Sequence, residues 1–176
     1  KKDFELGLIR NHYVGRTFIE PTQKIRSLGV KLKLSSTKTM LKNKKVILID
    51  DSLVRGTTCL KIIKMLYEGG AKEVHVRIAC PEIMYPDFYG VDMPNKSELL
   101  ANNKNVNEMC EYIGANTLKF LSIKGLYKAL GKGERNKSYP QFSDHYFTGD
   151  YPIKPSDFLE KGKITQLSLL SSKSSS

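Results

Sequence analysis

The chain has 176 residues and a mass of 19.9 kDa, and 40% of its residues are hydrophobic while 27% are charged. This composition is ordinary for a soluble globular domain, and we expect one hydrophobic core. No apolar run approaches the ~20 residues of a membrane-spanning helix, and the first residues lack the apolar stretch of a secretory signal. We therefore expect a cytoplasmic protein with no membrane partner.

The net charge of +11 is concentrated in the first third of the chain. No acidic residue lies between Glu20 and Asp50, whereas lysines and arginines are frequent there. Such a field attracts polyanions, and three interpretations remain open: a solvated surface, a phosphorylated small molecule or a nucleic acid. Because RNA- and DNA-binding signatures are missing, we do not expect a nucleic-acid partner.

The three cysteines are Cys59, Cys80 and Cys110, and they form no CxxC pair. Their spacing predicts neither a disulfide framework nor a zinc site. Cys59 and Cys80 lie in or beside apolar segments, which favours packing over catalysis.

Apolar runs and helical patterns alternate along the chain, which predicts an α/β fold with a mainly parallel sheet flanked by helices. The continuous run at residues 46–49 (VILI) is typical of a central strand buried on both faces. The other predicted strands are 30–34, 73–79 and 117–121. The predicted helices are one that starts at Thr57 and stops at Gly69-Gly70, two short ones at 97–102 and 106–112, and a last one capped by Ser122.

Two segments lack such patterns. Residues 80–94 contain three prolines and a glycine, which indicates an ordered loop. After Gly131 the chain becomes polar and aromatic, so we divide it into a domain at 1–131 and a C-terminal extension at 132–176. We expect the serine-rich end to be disordered.

The informative motif is residues 46–58, VILIDDSLVRGTT. Asp50 and Asp51 follow a strand, where open α/β sheets bind ligands, and can accept hydrogen bonds from ribose hydroxyls and hold Mg²⁺. Gly56 lets a phosphate approach the backbone, while Thr57 and Thr58 add hydroxyls at a helix N-terminus. Either half alone is better explained as a polar strand exit or as an N-cap at Thr57. Joined together, the two halves predict a phosphosugar site, and neither a Walker A loop nor GxGxxG is present.

This motif resembles the phosphoribosyl-diphosphate signature of type I phosphoribosyltransferases. Residues 10–21 (RNHYVGRTFIEP) and 89–94 (YGVDMP) further resemble glutamine phosphoribosyl-diphosphate amidotransferases. The resemblance implies a type I phosphoribosyltransferase-like fold, here incomplete at the N-terminus, with an irregular tail. It also implies transfer of glutamine-derived ammonia to C1 of phosphoribosyl diphosphate, the first committed step of purine synthesis.

The resemblance also implies roles for individual residues. Residues 10–21 would close over the substrate, with Arg16 stabilising the leaving diphosphate and Tyr13 as a second catalytic candidate. An ammonia channel would be lined by Tyr13, Ile19 and Leu99. Asp50 and Asp51 would bind Mg²⁺ and the ribose, and the remaining substrate-binding residues would be Ser52, Arg55, Gly56, Thr57 and Thr58.

The chain lacks the glutaminase region and the upstream transferase segment of that family, so we expect it to be inactive alone or to need a separate N-terminal polypeptide. The resemblance implies a homo-oligomer and purine nucleotides as feedback ligands. Some members hold an iron–sulfur cluster, but the comparable positions here are Asp87, Ser143 and Tyr146, which are not thiolates. We therefore expect no cluster, and we assign no function to His145.

Three alternatives stay open. Another type I phosphoribosyltransferase would share the motif but use a nucleobase. A non-catalytic regulator could sense phosphoribosyl diphosphate and bind RNA through the basic segment. A receiver-like domain would explain Asp50 and Asp51 but leaves the RGTT sequence unexplained.

Overall fold

The computed structural model describes residues 8–10, 34–36, 38–90 and 95–153. Its principal sheet is parallel, with the strand order β3-β4-β5. A separate antiparallel pair is formed by β1 and β2. The strands are β1 (Leu8–Arg10), β2 (Leu34–Ser36), β3 (Lys45–Asp50), β4 (Glu73–Ile78) and β5 (Thr117–Phe120).

Helices connect the three strands of the parallel sheet, so the expected α/β fold with a parallel sheet is confirmed. The helices are α1 (Lys38–Leu41), α2 (Thr57–Glu68), α3 (Leu100–Asn103), α4 (Val106–Ile113), α5 (Ile123–Ala129) and α6 (His145–Thr148). A 3₁₀ helix, Lys96–Glu98, precedes α3. None of the helices in the described ranges is long and apolar enough to cross a membrane.

The core lies between one face of the sheet and helices α2 and α4. Period-two alternation directs Val74 and Val76 of β4 into it, and both are fully buried. Ile63 of α2 and Met109 of α4 meet them in the same cluster. The alternation in β4 therefore produces an apolar sheet face, and the helical spacing in α2 and α4 produces the apolar helix faces that pack against it.

The prediction that residues 46–49 form a strand buried on both faces is wrong for the described part of the chain. There, β3 is an edge strand, and Ile47 and Ile49 are 46% and 72% exposed. Only the alternate residues Val46 and Leu48 pack against the core. An apolar run shows that a strand is hydrophobic, but the sequence does not show whether another element covers each face of that strand.

Three of the four predicted helices agree with the structure. The helix predicted at 97–102 is wrong, because the 3₁₀ helix and α3 lie there with Leu99 in an extended conformation between them. Helix α2 ends at Glu68, and Gly70 supplies the left-handed conformation with φ of 98°. Asn105 caps α4 in a reciprocal arrangement with Glu108. The Ser122 hydroxyl accepts a hydrogen bond from the backbone N–H of Gly125, as expected for the cap of α5.

The extension has an ordered part that the sequence pattern did not predict. Asp144 and His145 are almost fully buried, at 3% and 1% exposure. The hydroxyl of Tyr127, on α5, donates to the Asp144 carboxylate at 2.8 Å, and Arg135 donates to the same carboxylate. Residues 132–153 therefore pack onto the sheet-bearing part of the chain. Residues 30–33 of the predicted first strand and the serine-rich end lie outside the described residues.

Candidate functional site

Asp50 and Asp51 lie at the carboxyl end of β3, where the motif predicts them. The backbone N–H of Ala79 donates to the Asp50 carbonyl at 2.9 Å, which continues the pairing with the neighbouring strand. The Asp51 N–H donates to Asp50 Oδ1 at 3.0 Å, and the Ser52 hydroxyl donates to Asp51 Oδ1 at 2.9 Å. The two carboxylates are thus fixed side by side above the strand tip.

The environment of Asp50 makes its negative charge costly. Burial raises the pKa of Asp50, and the adjacent Asp51 carboxylate raises it further, although the hydrogen bond from the Asp51 N–H acts in the opposite direction. Two neighbouring acids of which one is desolvated form a local excess of negative potential. A cation at this point would relieve that potential.

The N-terminus of α2 begins directly after the turn. Gly56 is its N-cap, in the left-handed conformation with φ of 76°, and no side chain caps the helix. The ordinary interpretation of Thr57 as the cap is therefore wrong, because Thr57 is already the first helical residue. A helix N-terminus without a side-chain cap presents backbone N–H groups and a positive dipole end to an anion.

Gly56 is also enclosed by side chains from elsewhere in the chain. A Cβ atom on this residue would lie 2.8 Å from Leu100 Cδ2 and 3.0 Å from Tyr112 Cε1. The backbone N–H of Leu100 donates to the carbonyl of Val54 at 2.9 Å. The shape of the turn at residues 51–56 is therefore fixed by contacts with helices α3 and α4, which sequence reasoning did not identify.

Arg55 is the exposed basic residue of the turn. Its side chain is 49% exposed, and its Nε donates to Glu98 Oε2 at 2.8 Å. Glu98 belongs to the 3₁₀ helix that precedes α3, and it was not among the predicted site residues. Glu98 lies 43 residues after Arg55 in the sequence, so no local sequence pattern predicts this contact.

Two thiols lie near the carboxylates but are poor nucleophiles. Burial, with the nearby Asp50 charge, raises the pKa of Cys59 to about 12. Burial also raises the pKa of Cys80 to about 11, with the charge of Asp51 adding to the effect. Because only the thiolate reacts, we expect both groups to react slowly near neutral pH.

The predicted closing loop and the predicted channel lie mostly outside the part of the chain that the structure describes. Tyr13, Arg16 and Ile19 lie outside the described residues. Leu99 is described, and its side chain is 0% exposed between the 3₁₀ helix and α3. This burial is compatible with an apolar wall and equally with ordinary packing.

Asp87, Ser143 and Tyr146, the positions compared with cluster ligands in the sequence, lie close together. They surround His145, whose Nε2 lies 2.7 Å from Asp87 Oδ1 and whose Nδ1 lies 3.1 Å from Ser143 Oγ. Burial and the hydrogen-bonded Asp87 carboxylate raise the pKa of Tyr146. These oxygen atoms, with Asp87 engaged by His145, do not fit an iron–sulfur cluster, which needs thiolate ligands.

The chain is similar to curated proteins called amidophosphoribosyltransferases. It is 58% identical to that of Rhizobium etli over 170 residues, which are 96% of this chain and 34% of the relative. It is 54% identical to the chloroplastic amidophosphoribosyltransferase 1 of Arabidopsis thaliana, with 92% of this chain and 29% of the relative covered. The chain thus spans about a third of the length of these relatives. No family model matches it.

The fold is shared with solved structures. A glutamine phosphoribosyl-pyrophosphate amidotransferase from B. subtilis, complexed with ADP and GMP, is 48% identical with a TM-score of 0.70. That match covers 84% of this chain and 32% of the other. The second, described as the allosteric regulatory enzyme of purine biosynthesis, is 46% identical with a TM-score of 0.67 and covers 85% of this chain and 32% of the other. The fold class predicted from the sequence, that of type I phosphoribosyltransferases, is confirmed.

Proposed function

We propose that this chain, which belongs to the amidophosphoribosyltransferase family and matches the C-terminal part of its members, binds phosphoribosyl diphosphate above the tip of β3. The whole reaction replaces the diphosphate at C1 with glutamine-derived ammonia and yields 5-phosphoribosylamine. The enzyme would serve the first committed step of purine synthesis.

One arrangement carries the proposal: two adjacent carboxylates and a helix N-terminus without a side-chain cap lie at opposite ends of one short turn. The carboxylates of Asp50 and Asp51 suit the vicinal hydroxyls of a ribose. The N–H groups after Gly56, with the hydroxyls of Thr57 and Thr58, suit its 5′-phosphate. Ser52 and Arg55 complete the proposed substrate-binding set.

The carboxylates also fit Mg²⁺. Hard oxygen ligands are what this ion prefers, and it commonly binds to one or two carboxylates together with substrate phosphates and water. The raised pKa of Asp50 supports the fit, because the desolvated acid beside Asp51 would gain from a cation. Asp50 and Asp51 would hold Mg²⁺, which would supply charge neutralisation for the diphosphate.

The remaining steps fall to residues of the proposed closing loop and channel. Arg16 would stabilise the charge on the departing diphosphate, and Tyr13 would contact the reacting substrate. Tyr13, Ile19 and Leu99 would form an apolar path for ammonia. Such a path makes chemical sense because the reactive C1 centre must meet ammonia in preference to water.

The chain spans about a third of the length of its curated relatives, so the complete activity is proposed for the full-length enzyme. We propose that a glutaminase region supplies ammonia, that the full enzyme is a homo-oligomer, and that the chain alone is inactive. Purine nucleotides are proposed feedback ligands, which the nucleotide complex of the B. subtilis relative supports. We further propose that the protein is cytoplasmic and uses no iron–sulfur cluster.

A chimera tests the function. The chain would replace the matching third of the Rhizobium etli relative, and phosphoribosylamine formation from glutamine would be measured. The chimera should be active, whereas Asp50→Asn should lower kcat/KM by about 10- to 100-fold, because a charged hydrogen-bond acceptor is lost. Glu134→Gln is the matched control, because Glu134 is exposed and forms an ion pair with Lys124 of α5. A folded but inactive chimera, or an Asp50→Asn variant of full activity, would contradict the proposal.

A further inference from the structure

We propose that Glu98 is a positioning residue that aims the Arg55 guanidinium at the 5′-phosphate of the substrate. The inference rests on the proposed function, because it takes the turn at residues 51–56 as the phosphate site. Its starting observation is the contact of 2.8 Å between Arg55 Nε and Glu98 Oε2.

The geometry of this contact favours positioning over competition. Arg55 donates through Nε, and its two terminal nitrogens make no hydrogen bond or ion pair within the part of the chain that the structure describes. A guanidinium can bind a phosphate with two parallel N–H groups while a third stays engaged elsewhere. If the Glu98 carboxylate competed with the phosphate, we would expect it to bind the two terminal nitrogens of the Arg55 guanidinium.

Glu98 is itself held by the backbone around it. It ends a 3₁₀ turn in which its N–H donates to the Asn95 carbonyl at 2.8 Å. The next residue, Leu99, is completely buried and anchors the turn. Leu100 then donates its N–H to Val54 at 2.9 Å. The carboxylate is therefore presented from a fixed segment that also holds the backbone of the phosphate turn.

The exposure of the pair indicates what the contact is for. The side chains of Arg55 and Glu98 are 49% and 47% exposed, and such ion pairs contribute little to stability. Their value would lie in binding, because a long arginine side chain that is already oriented loses less freedom when the ligand arrives. Glu98 would thus improve affinity without contributing measurably to the fold.

The test measures the Kd of ribose 5-phosphate, with Mg²⁺, for the full chain by calorimetry. Glu98→Ala should weaken binding by about three- to tenfold, in line with the cost of immobilising one side chain. Glu98→Gln keeps an acceptor and should stay within about twofold of the wild type. In an Arg55→Ala background, Glu98→Ala should have no further effect. Glu134→Ala, from the ion pair with Lys124, serves as the control.

The outcomes separate the two proposals. Unchanged or tighter binding by Glu98→Ala overturns the positioning role, as do losses that simply add in the double variant. The melting temperature should be the same in all variants, and a matching fall in stability and affinity for Glu98→Ala would indicate a structural role instead. A wild-type chain that does not bind ribose 5-phosphate contradicts the proposed function itself, whereas binding that is indifferent to Glu98 contradicts only this inference.

Discussion

His145 Nε2 lies 2.7 Å from Asp87 Oδ1, and the contact joins positions that are 58 residues apart in the sequence. Both side chains are withdrawn from solvent, at 1% and 0% exposure. The ring also packs against Tyr89 and Tyr146. The C-terminal extension therefore packs against the loop after β4 through this buried polar contact and the surrounding aromatic rings.

Replacing His145 should loosen that attachment. His145→Ala leaves the buried Asp87 carboxylate without one hydrogen-bond partner, which should lower the free energy of unfolding by about 1–3 kcal/mol. Ser143→Ala is the control, since its hydroxyl contacts the same ring from an exposed position and should cost less. Urea denaturation measures both variants, and equal stability for His145→Ala and wild type would contradict this account.

Acid should weaken a second contact of the C-terminal extension, the one between the Asp144 carboxylate and the side chains of Arg135 and Tyr127. Burial alone would raise the pKa of Asp144, but hydrogen bonds from Arg135 and Tyr127 outweigh it and hold the pKa below its ordinary value. The stabilisation is therefore complete above the unfolded-state value of about 3.9 and is lost as the pH falls through the lower folded-state value. Denaturation measured between pH 7 and pH 2 should show a steeper loss for wild type than for Asp144→Asn. Parallel curves would argue against the ion pair as the cause.

The enclosed position of Gly56 predicts a penalty for any side chain. Gly56→Ala combines the left-handed backbone with a Cβ only 2.8 Å from Leu100, and should lower stability by about 1–3 kcal/mol and weaken ligand binding. Gly114→Ala is a matched control, because Gly114 has a similar φ of 74° but nothing within 4 Å of the added Cβ. Thermal unfolding should show the larger loss for Gly56→Ala. Equal losses would mean that backbone strain alone, and no close contact, limits this position.

The thiols should resist alkylation in the folded state. With pKa values raised to about 12 for Cys59 and about 11 for Cys80, the thiolate fraction at pH 8 is very small. Iodoacetamide at pH 8, followed by mass spectrometry of peptides, should label both residues slowly in the native chain and rapidly in urea. Rapid native labelling of Cys59 would contradict its burial.

Local sequence patterns were sufficient for much of the fold. The alternation in β4 and the spacing and terminal glycines of α2 depend on neighbours within the same segment. The exposure of Ile49 could not be read in this way, because it depends on what lies beside β3. The same reason explains His145, which becomes buried only through contact with the distant Asp87.

The residues of the candidate site also fall into a group that the local sequence predicts and a group that it does not. Asp50 through Thr58 are contiguous, so one motif carries both halves of the proposed ligand contacts. Glu98, Leu100 and Tyr112 reach the turn only because of the chain topology, and no spacing rule marks them. The sequence motif therefore predicted the turn, and the structure identified the residues that contact the turn and hold its shape.

Calorimetric titration of the chain with phosphoribosyl diphosphate and Mg²⁺ tests the central claim most directly. The account predicts 1:1 binding that Asp50→Asn weakens by about tenfold or more, through loss of a charged ligand group, and that Glu134→Gln leaves unchanged. No binding to the folded wild type, or equal affinity in Asp50→Asn, would contradict it.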